Sequence, residues 1–262
     1  MATRKDTEAA PTGLAFFDFD KTLIADDIGP LYGWYLFRQE MARLGDGHGG
    51  EGEGRARRRA RKAGYIARYT AFLSWMGLAS GLYKARALRR SQIVRGAYKG
   101  LKGLPVEEYL ASMDPFLDDR LEGLVYPEMV EEIRDHQAAG RTCIIITTGQ
   151  QKLVERCLEA FPPGIELIGC HLEEQDGKLT GRVDGPLYGA DKANILRTYA
   201  KAHGIDLADC WAYSDHYSDY HMLEAVGHAV CVNPRGRLLK MAQERGWRIM
   251  EPRDPQPTAV SS

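Results

Sequence analysis

Long hydrophobic runs are absent from this 262-residue chain. Its longest uncharged stretch, the fifteen residues from Tyr69 to Tyr83, is interrupted by Gly and Ser. That falls short of the roughly 20 apolar residues a helix needs to span a bilayer. The start of the chain, MATRKDTEAAPTG, is polar and lacks the apolar stretch of a secretory signal, so a cytoplasmic location is expected. Cysteine is sparse and odd in number: Cys143, Cys157, Cys170, Cys210 and Cys231, with no C-x-x-C spacing. Small buried thiols in a reducing compartment explain that pattern better than bridges or a thiolate metal cluster. Net charge is also nearly absent, at -1 with a pI of about 6.7. With 44% hydrophobic and 27% charged residues, the composition excludes wholesale disorder, collagen and a disulfide scaffold.

The balanced total conceals an asymmetry. Between Arg55 and Lys102 stand fourteen Lys or Arg residues and no acid, which leaves 21 basic and 36 acidic residues elsewhere. Such a block attracts phosphates, nucleic acid or an anionic membrane surface, unless it is simply a set of solvated helix faces.

Apolar β-like runs recur at 14–17, 142–146, 165–170, 210–213 and 229–232. Helical patterns at 127–139, 151–161, 191–203 and 218–226 separate the later ones. Strands alternating with helices imply parallel crossovers, hence an α/β fold with a doubly wound, Rossmann-like parallel sheet. Residues 30–125 break that rhythm with helical spacing alone, including the series Tyr65, Tyr69, Phe72, Leu73 and Met76. They are expected to form an inserted all-helical cap, with the Gly-rich segment 45–54 as a mobile loop. The core is then 12–29 and 126–252, with flexible termini at 1–11 and 253–262. Asp176-Gly177 between two β-prone arms predicts a β-hairpin flap.

Ligands of an open parallel sheet bind beyond the carboxyl ends of its strands. The first run delivers Asp18 and Asp20 there, the second Thr147, Thr148 and Gly149, and a later one Ser214 and Asp215, with Asp219 a helical turn on. Lys192 opens a helix after the turn PLYGAD. Converging carboxylates are costly to ionise together without a cation, and Mg²⁺ suits one or two carboxylates plus phosphate oxygens and water. A lysine and a hydroxyl beside the metal suit phosphoryl transfer.

The segments FFDFDKTL at 16–23, IIITTG at 144–149, GADK at 189–192 and YSDHYSD at 213–219 occur in the order of four known motifs. On them the chain resembles the haloacid dehalogenase superfamily, in the helical-capped group that includes phosphoserine phosphatase. The resemblance covers the core, roughly two-thirds of the chain; the basic insertion matches only in position and helical character. It implies a phosphatase in which Asp18 is the nucleophile forming an aspartyl-phosphate. Asp20 is the general acid and base. Mg²⁺ is held by Asp18, the Asp20 carbonyl and Asp215. Thr147, Thr148, Gly149 and Lys192 bind the phosphate, Thr147 being favoured over Thr148 as the hydroxyl that faces it. Asp219 orients a metal-bound water or Lys192, unless it is merely a first-turn helix acid. Dehalogenases of the family lack a carboxylate at the position of Asp20, and ion pumps carry Thr there, so both activities are disfavoured.

Two departures concern substrate. Phosphoserine phosphatases have Glu where this chain has Asp27, a candidate substrate-binding acid, and Asn where Ser218 stands. The expectation is a Mg²⁺-dependent phosphomonoesterase acting on a small phosphorylated substrate, with no nucleic-acid partner and the oligomeric state open. The alternatives are a lipid head-group phosphatase in peripheral membrane contact through the basic cap, a phosphomutase, or a non-catalytic anion- or membrane-binding module. His216 and His221 read as surface or packing residues, and Trp34 and Trp75 as cap core.

Overall fold

Leu14–Phe17 is buried on both faces: Ala15 and Phe17 enter one hydrophobic cluster while Leu14 and Phe16 enter another. This is why the run is continuously apolar rather than alternating, as expected of a central strand in a parallel sheet covered on both sides. The computed structural model describes residues 12–45, 55–85 and 87–255. In chain order the elements are β1 (Leu14–Phe17), α1 (Ile28–Gly45), α2 (Arg55–Lys84), α3 (Arg90–Lys99), α4 (Val106–Ala111), α5 (Met113–Arg120), α6 (Pro127–Ala138), β2 (Thr142–Gln150) and α7 (Gln151–Cys157). They continue with β3 (Glu166–Gln175), β4 (Lys178–Asp184), α8 (Gly189–His203), β5 (Trp211–Ser214), α9 (Tyr220–Leu223), β6 (His228–Val232), α10 (Gly236–Arg245) and β7 (Arg248–Met250).

The seven strands form one sheet in the order β4-β3-β2-β1-β5-β6-β7. Every neighbouring pair is parallel except β3 and β4, which are antiparallel. From β1 the chain winds outward through β2 and β3, then returns to the other side of β1 as β5 and continues through β6 and β7. The winding therefore reverses between β1 and β5, where doubly wound sheets open their ligand crevice. The hairpin turn falls at Asp176-Gly177, with φ of 51° and 70°. Two consecutive positive φ values are what a type I′ turn requires. All five cysteines are free and buried.

Among the described residues five helices, α1 to α5, lie between β1 and α6. Their entry and exit are stitched together: Ala25 N–H donates to the Leu124 carbonyl at 2.7 Å and Tyr126 N–H to that of Leu23 at 3.1 Å. Phe37 of α1 stacks on Tyr69 of α2 at 3.8 Å between ring centroids and on Tyr65 at 5.9 Å. Trp75 lies over Gly96 of α3, and Phe72 contacts Gly100.

Several sequence expectations need correction. The helix expected over 151–161 ends at Cys157 and gives way to a 3-10 turn, Leu158–Ala160. The one expected over 218–226 is a 3-10 turn, Tyr217–Asp219, followed by the four-residue α9. Trp34 and Trp75 are exposed, at 47% and 37%, rather than core. Within the Gly-rich segment 45–54, Gly45 ends α1 and 46–54 lie outside the described residues, as do 1–11 and 256–262.

Candidate active site

The loop after β1 carries Asp18 to the carboxyl edge of the sheet beside β5. Its backbone N–H donates to the Tyr213 carbonyl at 2.9 Å, so the β1–β5 ladder continues into the loop. The Asp18 carboxylate accepts from Phe19 N–H at 2.8 Å and from Lys192 Nζ at 2.7 Å, both through Oδ1. Lys192 also donates to Asp219 Oδ2 at 2.7 Å. Residues 174 and 27 positions apart in sequence thus meet in one buried carboxylate–ammonium–carboxylate bridge. Asp18 is 8% exposed, Lys192 and Asp219 2%.

Lys192 reaches that position because α8 begins against the Tyr217–Asp219 turn with no side chain between them. A Cβ on Gly189 would lie 1.8 Å from the Ser218 carbonyl oxygen, so only glycine permits the approach. The hydroxyls of Ser214 and Ser218 donate to Asp219 at 3.0 and 3.2 Å. Asp219 is therefore held by three donors, which a solvated first-turn helix acid would not be.

Asp20 is tied elsewhere: its Oδ1 accepts the Ile28 N–H, at the start of α1, at 2.8 Å. Thr147 is fully buried, and its Oγ1 accepts from Gly149 N–H at 2.9 Å, which leaves the hydroxyl proton to donate outward. Thr148 is half-buried, and its carbonyl accepts from Tyr98 OH of α3 at 3.0 Å. Asp215 is anchored through its backbone N–H, which donates to Thr22 Oγ1 at 3.1 Å and so joins the β5 end to the Asp18 loop. Asp27 stands apart from the bridge, exposed and ion-paired with Lys21. His216 caps the following turn through Nδ1, accepting from Ser218 N–H, and His221 packs on the Tyr220 ring.

Burial sets the protonation here. It pushes the Asp18 carboxyl up to about 6, with Lys192 pulling against it and Asp219 adding to the rise. Asp20 is pushed to about 7, again by burial first, with the Ile28 N–H opposing and the Asp18 and Asp27 charges reinforcing. Burial also works against the Lys192 ammonium, but Asp18 and Asp219 outweigh it and hold it above the ordinary lysine range. At neutral pH Lys192 is therefore charged, and Asp20 lies close to its own titration point.

The donor set fits a hard divalent cation. Asp18, Asp20, Asp215 and Asp219 bring four carboxylates, of which Lys192 pairs with Asp18 and Asp219, and the donors they offer are oxygens. Among the described residues no group of three or more His, Cys, Asp or Glu side chains forms a metal cage by itself. Mg²⁺ commonly takes one or two carboxylates and completes its shell with water and substrate oxygens.

Sequence reasoning named neither Thr22 nor Tyr98, and cited Ser214 and Ser218 only in passing. Thr22 lies inside the quoted segment FFDFDKTL, but its role as acceptor for a residue 193 positions away has no local signal.

The haloacid dehalogenase-like hydrolase family model matches residues 15–224 of the chain. The chain belongs to that family. This haloacid dehalogenase-like hydrolase is 30% identical to the Inhibition of morphological differentiation protein of Streptomyces azureus over 246 residues, 94% of this chain and 80% of that protein. A probable phosphatase of Mycobacterium tuberculosis is 29% identical over 90% of this chain and 74% of its own length. A phosphoserine phosphatase of the same organism is 34% identical over 60% of this chain and 51% of its own. Among solved structures, a protein of unknown function from Bordetella pertussis Tohama I superposes with a TM-score of 0.67 at 26% identity, covering 91% of this chain and 98% of that one. A phospho-aspartyl intermediate analogue of phosphoserine phosphatase gives 0.60 at 20% identity, covering 92% and 94%, which shows the shared fold.

Proposed function

We propose that the chain is a Mg²⁺-dependent phosphomonoesterase that hydrolyses a small phosphorylated substrate through an aspartyl-phosphate on Asp18. The observation that carries this reading is the buried Asp18–Lys192–Asp219 bridge at the point where the sheet's winding reverses. A free Asp18 oxygen, Oδ2, attacks phosphorus, and the bond from phosphorus to the leaving alkoxide breaks. Asp20, with its carboxyl near 7, gives its proton to that alkoxide. The resulting Asp20 carboxylate then takes a proton from water as its oxygen attacks phosphorus, which releases inorganic phosphate and restores both acids. Lys192, the Thr147 hydroxyl, Thr148 and the Gly149 segment hold the non-bridging oxygens, and Asp219 keeps the lysine aimed. Asp18, the Asp20 carbonyl and Asp215 would hold Mg²⁺, which would supply charge neutralisation for the phosphoryl group.

The Lys21–Asp27 pair bears on substrate. Burial works against the Lys21 ammonium, but Asp27 and then Asp215 outweigh it and hold it above the ordinary lysine range. An acid already paired with a lysine is a poor grip for a substrate ammonium. This supports phosphomonoesters without an amino group over phosphoserine. The decisive experiment is inorganic phosphate release from a generic aryl phosphate, expected in Mg²⁺ and abolished by EDTA and by Asp18→Asn. Activity surviving Asp18→Asn overturns the reading.

A further inference from the structure

Residues 147–149 lie where the sheet stops dictating the backbone. The pairing of β2 with β1 ends at Ile145, and its register with β3 slips between Ile146 and Gln150. Two side-chain hydroxyls instead hold the peptide between Thr148 and Gly149 by its opposite edges. The Thr148 carbonyl accepts from the Tyr98 hydroxyl at 3.0 Å. The Gly149 N–H, on the far edge of the same rigid trans peptide, donates to Thr147 Oγ1 at 2.9 Å. These groups form one chain of donors and acceptors, and its last proton is the one Thr147 has left to give.

Tyr98 belongs to the helical insertion, which is seated so that the phenol reaches the strand end. Val94 and Tyr98, one turn apart on α3, pack against Cys170, Val183 and Leu187. Arg95 Nη1 donates to the Val183 carbonyl at 3.0 Å. A Cβ on Gly181, whose φ is 78°, would stand 3.1 Å from Lys99 Cα, so α3 rests directly on β4. The segment after α3 extends the contact: Gly103 N–H donates to the Leu179 carbonyl at 2.8 Å, Leu179 N–H to that of Leu104 at 2.9 Å and Val106 N–H to that of Gly177 at 3.0 Å. Burial, reinforced by Cys170, Tyr109 and Asp20, holds the Tyr98 hydroxyl well above the ordinary phenol range, so it stays a protonated donor across neutral pH.

We propose that Tyr98 is a positioning residue for phosphoryl transfer, acting through the Thr148–Gly149 peptide to fix and polarise the Thr147 hydroxyl that donates to a non-bridging phosphoryl oxygen. The proposal rests on the phosphomonoesterase reading of the site. A hydrogen bond to the carbonyl strengthens the amide as a donor, and a donor on Thr147 Oγ1 strengthens its remaining O–H in turn. The aim of that proton thereby depends on the cap, because the phenol is in place only while α3 is seated on β4. A packing role alone would need the ring and not the hydroxyl.

Tyr98→Phe keeps the ring and removes only the donor. Its melting temperature should fall by no more than about 5 °C, the loss of one hydrogen bond. In Mg²⁺, its kcat/KM for an aryl phosphate should fall about tenfold, as expected of a misaimed donor in a preorganised site. Tyr98→Met, which also lacks the donor, serves in its place if the phenylalanine variant melts early. The readout that packing cannot imitate is a double-mutant cycle: in a Thr147→Val background, where no hydroxyl is left to aim, Tyr98→Phe should cost less than about twofold more. A Tyr98→Phe variant as active as wild type overturns the inference and leaves the phosphomonoesterase reading standing. So does a tenfold loss, or about that, which persists in the Thr147→Val background. A wild-type chain that releases no phosphate overturns both.

Discussion

Replacing Lys192 by Met keeps most of the side-chain volume and removes the one ammonium that lies 2.7 Å from both Asp18 and Asp219. Two carboxylates are then buried without their shared cation. Removing one partner of a buried ion pair costs about 3–5 kcal/mol, because the remaining charge is stranded in a poorly polarisable interior. For a chain of this size that corresponds to a melting temperature lower by roughly 6–20 °C. The loss should depend on pH with a definite sign. Asp18 already titrates near 6 with the lysine present, and it must rise further without it. An aspartate with a raised folded-state pKa holds its proton after the unfolded chain has released it, so stability falls as pH climbs through that interval. The defect should therefore be large at pH 8 and shrink towards pH 5, where the carboxyls become neutral. Adding Asp219→Asn should restore part of the stability and none of the activity, and phosphate release should fall on the order of a hundredfold or more in both variants. Thermal melts in EDTA from pH 5 to 8, paired with aryl phosphate assays, measure all of this. A Lys192→Met melting temperature equal to wild type at pH 8, or a defect independent of pH, refutes the account of the bridge.

Asp20→Asn should stabilise the metal-free protein at pH 8 while lowering turnover. The gap between the ordinary 3.8 and about 7 converts to an upper bound of about 4 kcal/mol of cost for ionised Asp20. The gain should fade as pH falls to about 4, as read by denaturant midpoints in EDTA. Gly189→Ala should lose about 3 kcal/mol and most activity, since the new methyl meets a backbone carbonyl that cannot swing aside; an unchanged unfolding midpoint would contradict the close approach described. Lys21→Ala should raise phosphoserine hydrolysis relative to glycerol phosphate by up to about fivefold, the modest worth of an exposed ion pair, as measured by the ratio of kcat/KM values.

The sheet was largely legible because its central strands are buried on both faces: LAFF, CIII and the run before Ser214 have no other stable home. β7 was not, since Arg248–Met250 is three residues long and mostly exposed, with no run to detect. α10 buries only Leu238 and Ala242, one turn of apolar stripe, and leaves an equally faint trace. In the site, Asp18, Lys192 and Asp219 were readable as residues at strand and helix ends. The partners of Asp215 and Thr148 were not, because Thr22 and Tyr98 act through a single hydroxyl across many residues of sequence. Asp27 was legible as an acid in the right place, but its pairing with Lys21 depends on the turn at Lys21, where φ is 57°. Trp34 and Trp75 were misread for a simpler reason: tryptophan looks like core in any hydropathy count, and only the neighbours reveal that these two are 47% and 37% exposed.

The stitching of Leu23–Ala25 to Leu124–Tyr126 also bears on how this chain can change over time. Because the polypeptide leaves the sheet and rejoins it at almost the same spot, everything between behaves like a graft on a clamped stem. Helices there can lengthen, shorten or trade residues without altering the span the sheet must bridge, and closing a longer excursion costs little additional entropy. New preferences for what is admitted to the crevice can thus be acquired on the graft while the acids and lysine at the rootstock stay fixed.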